Sequence, residues 1–266
     1  MKSLVVDTSP GSALAGRVQT ALDLARAHDA HVTCHYTIPF PLVPSYEPFG
    51  GVANMTPILN DLHRQEVEAR QSMEATLEHE DVRWDWSSRS GDTGNCLVEA
   101  SALADLVLIS QDGQDSPSSG YIDYLLTHSA SPVMVLPKGC GRIDPLGPVM
   151  IAWNGSVQVA RTIRQTMAIL NMAAKVHLVS IGEDAEPVPL TEAGAYLSRH
   201  GVNAELHTAW ATKAGAAEQL LGLARAYGAS AIIMGAYGHS RLRETILGGV
   251  TRDLTRRSEI PLILGH

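Results

Sequence analysis

Apolar residues along this chain gather in short runs, separated by longer stretches where they recur every third or fourth position. The short runs are rich in β-branched residues and bounded by Gly, Pro, Asp or Ser, the pattern of parallel strands buried on both faces. They predict strands at 3–6, 31–38, 82–87, 105–110 and 132–136. A second set falls at 148–153, 175–181, 202–209, 230–235 and 261–264. The stretches between them carry helical spacing. Over 220–228, Leu220, Leu223, Ala224 and Tyr227 share one face, and Gly228 stands where a helix C-terminus favours glycine. Over 161–173, Ile163, Met167 and Leu170 do the same. Alternating strands and helices predict an α/β fold with right-handed crossovers.

The pattern also repeats. "ADLVLISQDG" at 104–113 parallels "ASAIIMGAYG" at 229–238, and "LLTHSASPVMVLPKG" at 125–139 parallels "LTRRSEIPLILGH" at 254–266. Leu125 aligns with Leu254, Ser129 with Ser258 and Pro132 with Pro261. Two tandem domains follow, each with five parallel strands covered by helices on both faces. The Pro- and Gly-rich segment 137–148 reads as the linker, dividing the chain into 1–142 and 143–266. The first half carries an insertion at 37–57 that is longer than an ordinary connection and reads as a lid, an interaction surface or a plain surface excursion. Its Phe40, Tyr46 and Phe49 tilt the reading towards a lid or interface.

Composition narrows the function classes. A length of 266 residues suits two ordinary domains. The net charge of -8 argues against a general nucleic-acid or anionic-membrane surface. Arg252, Arg256 and Arg257 form a local basic patch, of the kind a solvated helix face carries. Cys34, Cys96 and Cys140 show no pairing motif, so neither a disulfide framework nor a zinc site is expected from them. The apolar run near the N-terminus is too short for a signal peptide, and a cytoplasmic location is expected. His28, His31 and His35 lie close in sequence, but only His31 and His35 share a strand face, which disfavours a metal site. The chain has no GxxxxGK[ST] loop, Gly-x-Ser-x-Gly elbow or HExxH pair, so slow ATP hydrolysis is the most enzyme chemistry expected.

The stretch "GAYGHSRLRETILGGVT" follows the apolar run 231–234. Ligands of open α/β sheets bind at the carboxyl ends of strands, near the point where strand order reverses. Gly235 and Gly238 allow backbone conformations that form a concave anion nest. Gly248 and Gly249 open a helix whose first amides lack internal partners. Two converging sets of amides suit a polyphosphate, with His239, Ser240, Arg241, Val250 and Thr251 completing the loop. A turn that merely lets strand and helix pack is the alternative.

The spacing Gly-x2-Gly-x9-Gly between two buried strands resembles the universal stress protein family, and the resemblance spans both halves. It implies two tandem Rossmann-like domains of the adenine-nucleotide-alpha-hydrolase type. It also implies ATP, ADP or AMP as ligand, assisted by magnesium. The site would be built by Ala152, Trp153, Asn154 and Ser156, by Ser180 and Ile181, and by the loop from Gly235 to Thr251. The family's hydroxyl residue is replaced here by Gly249, with Thr251 a candidate substitute, and its strand-end aspartate by Asn154. The first half keeps Asp7 and Ser9, with helix capping as the other reading of Asp7. Its loop has Ser110 in place of the first glycine, and Asp112 and Asp115 would repel phosphates, so binding is expected in the second half. The implied function is a nucleotide-binding stress-response regulator. The alternative is a dimeric scaffold or adaptor that binds a protein or a small apolar metabolite through the first half. The apolar edges "PVMVLP" and "PLILGH" predict an internal pseudo-dimer of the halves and a homodimer of whole chains.

Overall fold

The computed structural model describes residues 1–39, 55–111, 121–182, 187–213, 215–236 and 249–266. The first half runs β1 (Ser3–Asp7), α1 (Leu14–His28), β2 (His31–Pro39), α2 (Met55–Leu77), β3 (Arg83–Gly91), α3 (Thr93–Ala100), β4 (Leu106–Ser110), α4 (Tyr121–His128) and β5 (Val133–Leu136). The second runs β6 (Val149–Trp153), α5 (Val157–Gln165), α6 (Met167–Leu170), β7 (Val176–Ile181), α7 (Leu190–Arg199), β8 (Ala204–Ala209), α8 (Ala216–Ala226), β9 (Ala231–Gly235), α9 (Gly249–Arg257) and β10 (Leu262–Gly265). The insertion lies largely outside the described residues.

All ten strands join one sheet in the order β3-β2-β1-β4-β5-β10-β9-β6-β7-β8. Each half has the same internal order, and every pairing within a half is parallel. The halves meet where β10 pairs antiparallel with β5, Ile263 opposite Met134. Alternate residues of the strands feed two cores, as a period of two requires. Leu4, Val6, Ile151 and Ile263 pack with α1, α2, α5 and α7 on one face. Val5, Met150, Ile232 and Leu264 pack with α3, α4, α8 and α9 on the other.

The repeat extends to single hydrogen bonds. Ser129 Oγ accepts from Ser131 N and donates to Ser131 O, and Ser258 Oγ does the same with Ile260 N and O. These serine turns set the chain for Pro132 and Pro261, whose carbonyls accept from Val107 N and Ile232 N. Proline fits there because its missing N–H is not needed in the ladder.

Two expectations change. The helix foreseen across 161–173 begins earlier, at Val157, and breaks at Thr166. Thr166 Oγ1 donates back to the Thr162 carbonyl at 2.7 Å, and such back-bonding competes with the backbone ladder. Strands β3 and β8 are the sheet's outer edges and alternate between cover and solvent rather than lying buried on both faces. The connecting segment packs against α1. Cys140 O sits where a Cβ on Gly16 would fall, and the Arg142 guanidinium pairs with the buried Asp23 carboxylate at 3.2 Å.

Candidate functional site at the strand ends

In both halves the strand order reverses beside the central strand, at β1 and β4 and at β6 and β9. These are the two crevices in which an open sheet of this type holds a ligand.

The first crevice holds a buried ion pair. Arg17 and Asp7 are 6% and 2% exposed, and their nearest charged atoms lie 3.7 Å apart. The guanidinium Nε donates to the Asp7 carbonyl, Nη2 to the Ser9 carbonyl at 2.8 Å and Nη1 to Ser110 Oγ at 3.1 Å. Arg17 thus stitches the end of β1 to the end of β4. The Asp7 carboxylate accepts from Ser9 N and Ser9 Oγ. Asp7 is not a helix cap, because α1 starts only at Leu14. Asp112 and Asp115 lie outside the described residues.

The second crevice is built differently. Asn154 Oδ1 accepts from Ser156 N at 3.2 Å, reproducing the Asp7–Ser9 turn. Yet Asn154 follows the last residue of β6, whereas Asp7 is the last residue of β1. Counted from the equivalent carbonyls of Ser3 and Pro148, which accept from Asp105 N and Ser230 N, the turn comes two residues later. At roughly 3.3 Å per strand residue, the side chain is carried clear of the sheet, and Asn154 is exposed.

Ser156 caps α5, its Oγ accepting from Val159 N at 3.4 Å. That helix start rests on Gly235. A Cβ there would lie 2.7 Å from Val159 N and 2.9 Å from Gln158 Cβ. The missing side chain therefore lets the first turn of α5 sit directly on the end of β9.

The strand pairing aligns Ala152 with Val179 and Trp153 with Ser180, so 152–156, 180–181 and Gly235 gather at one end of the sheet. Ser180 is buried and Ile181 half-buried. Trp153 offers this end only its backbone, because its indole Nε1 donates to Val188 O at 3.0 Å. The ring lines a pocket of about 390 Å³ between α5 and α7, with Ile163, Arg164, Tyr196 and Arg199. Gly249 and Val250 open α9, and Thr251 lies on its buried stripe with Leu254 and Thr255. Gly238, His239, Ser240, Arg241 and Gly248 lie outside the described residues. Arg252, Arg256 and Arg257 are exposed, Arg257 pairing with Asp253 one turn away.

The other chemistry read from the sequence disperses. His28 ends α1 and His31 faces Asp85. Burial pushes His35 down to about 4, leaving a neutral imidazole 3.4 Å from Ser87 Oγ. Burial pushes the Cys34 thiol up to about 12 and raises those of Cys96 and Cys140, so none of the three is an activated nucleophile. Sequence reasoning missed two features. Arg17 gives no signal in an ordinary helix pattern. His177, Glu205 and His207 were legible only as a Glu-x-His pair on one strand beside a strand histidine. Among the described residues, no helix is long and apolar enough to cross a membrane.

Comparison with known proteins agrees with this architecture. Residues 147–265 match the model of the universal stress protein family. The chain is 23% identical over 180 residues to universal stress protein Slr1230 of Synechocystis sp., covering 64% of this chain and 60% of that relative's length. Among solved structures it resembles a universal stress protein from Archaeoglobus fulgidus DSM 4304, with a TM-score of 0.78 at 14% identity, over 99% of this chain and 95% of the other. A functionally unknown protein from Pseudomonas aeruginosa PAO1 gives a TM-score of 0.60 at 13% identity, over 99% and 92%. Those two likenesses speak for the fold alone. Residues 147–265 therefore form a universal stress protein domain.

Proposed function

We propose that the protein is a nucleotide-binding regulator of the stress response that takes up an adenine nucleotide, ATP with magnesium or its ADP and AMP products, in its second half. The observation that carries this reading is the seat of α5 on Gly235. It brings the amino end of a nine-residue helix, with its partial positive charge, to the reversal point between β6 and β9. Ala152, Asn154 and Ser156 line one side of that point, and Ser180 and Ile181 lie beyond them. Gly238, Gly248 and the residues between them would supply further amides. The first half serves as the counter-case, because Arg17 already satisfies the acceptors there.

The protein acts by binding rather than catalysis, in the cytoplasm, as an internal pseudo-dimer that pairs again into a homodimer. Titration calorimetry with ATP, ADP and AMP at millimolar concentration and with magnesium tests this. Heat of binding is expected, and a Gly238→Val variant loses it while keeping its circular dichroism. Absence of heat from all three nucleotides would leave the adaptor reading. That second reading has its own support, since Gly235 is already required by the packing of α5.

A further inference from the structure

Away from the strand-end crevice, the outer edge of the second half carries an arrangement that packing alone does not require. The pairing of β7 with β8 sets His177 opposite Glu205, and His207 follows two residues on, so all three point to the same face. His177 is buried, Glu205 is half-exposed and His207 lies between. His177 Nδ1 is 3.1 Å from His207 Nε2 and 3.5 Å from Glu205 Oε2, and His207 Nε2 is 3.8 Å from the same oxygen. Three possible ligand atoms thus lie within 3.8 Å of one another, the two nitrogens at hydrogen-bond distance.

We propose that His177 Nδ1, His207 Nε2 and Glu205 Oε2 bind a divalent cation of the zinc class. A tetrahedral ion with bonds of about 2.0–2.1 Å holds its donors roughly 3.3 Å apart, and the three observed separations straddle that distance. The groups therefore need to move little. Two imidazoles and one carboxylate suit zinc, cobalt or nickel and not magnesium or calcium, which demand oxygen ligands.

The surroundings hold the donors in place. The Tyr227 ring stacks on both imidazoles, at 4.3 Å from His177 and 4.7 Å from His207. Lys175 Nζ pairs with Glu205 Oε1 at 2.8 Å, which fixes the carboxylate and leaves Oε2 turned to the histidines. That neighbouring charge also weakens the site relative to one with an unpaired carboxylate. Binding requires the protons on His177 Nε2 and His207 Nδ1.

The cation clips the outermost strand, β8, to β7. The site lies toward the amino end of β7, away from Ser180 and Ile181, so its test is independent of nucleotide binding. Titration of metal-free full-length protein with zinc should give one equivalent of tight binding. His207→Ala, on an exposed strand, should weaken that equivalent at least tenfold with circular dichroism unchanged, and Glu205→Gln should weaken it as well. His31→Ala and Cys140→Ser should leave it intact. Cobalt in place of zinc should give the strong visible absorption of a four-coordinate ion, lost in His207→Ala. No zinc binding at micromolar concentration, or an equivalent untouched by both His207→Ala and Glu205→Gln, overturns the proposal.

Discussion

At Arg17 one side chain ties the end of β1 to the end of β4. Its guanidinium meets two carbonyls, a hydroxyl and the Asp7 carboxylate in a place closed to water. Removing one partner of such a pair leaves the other charge buried, which costs about 3 kcal/mol or more. Arg17→Ala is therefore expected to lower the urea unfolding free energy by about that amount. Asp7→Asn should cost less, because the guanidinium keeps its two carbonyls and Ser110. Equal and negligible effects would mean that the pair is solvated. Asp7 was legible as a residue of interest, because it ends an apolar run in a Asp-x-Ser motif. Its partner was not, since Arg17 looks like any helix arginine until the fold brings Ser110 beside it. At Asn154 the sequence motif was right but its reach was hidden, because the two-residue delay that exposes it is a matter of strand register.

At the scale of elements, each of the ten strands among the described residues appears near its expected position, and the eight inner ones do so because strands buried in a sheet leave a strong apolar signature. The boundaries that slipped have local causes. The hydroxyl of Thr166 interrupts a helix whose apolar spacing continues unbroken, and β3 extends to Gly91 along the exposed outer edge, where no apolar residues are needed. Helix α5 carries the proposed site, and its N-terminus depends on a residue without a side chain in β9. Gly235→Ala would push a methyl group against backbone rather than a flexible side chain. A cost of about 1–3 kcal/mol in chemical denaturation is expected, as for overpacked cores. Nucleotide affinity should fall with it as α5 is displaced. A neutral substitution would show that α5 yields easily and that its seat does not define the site.

For the whole molecule, two copies of one fold share a continuous sheet. Antiparallel pairing of β5 with β10 joins them, and Gln111 Nε2 to Ser258 O and Gln165 Nε2 to Ala130 O, both at 2.8 Å, tie the halves on either side. The segment between them packs on α1 at Gly16 and Asp23 instead of swinging free. Tandem repetition and apolar last strands were readable in the sequence. The Arg17 bridge between β1 and β4 was not, because it needs three separate segments in contact. Divergence of this kind predicts an uneven capacity for ligand. Equilibrium dialysis of the full chain against saturating ATP and magnesium measures it directly. One nucleotide bound per chain is the predicted result; two per chain, or none, would contradict the account.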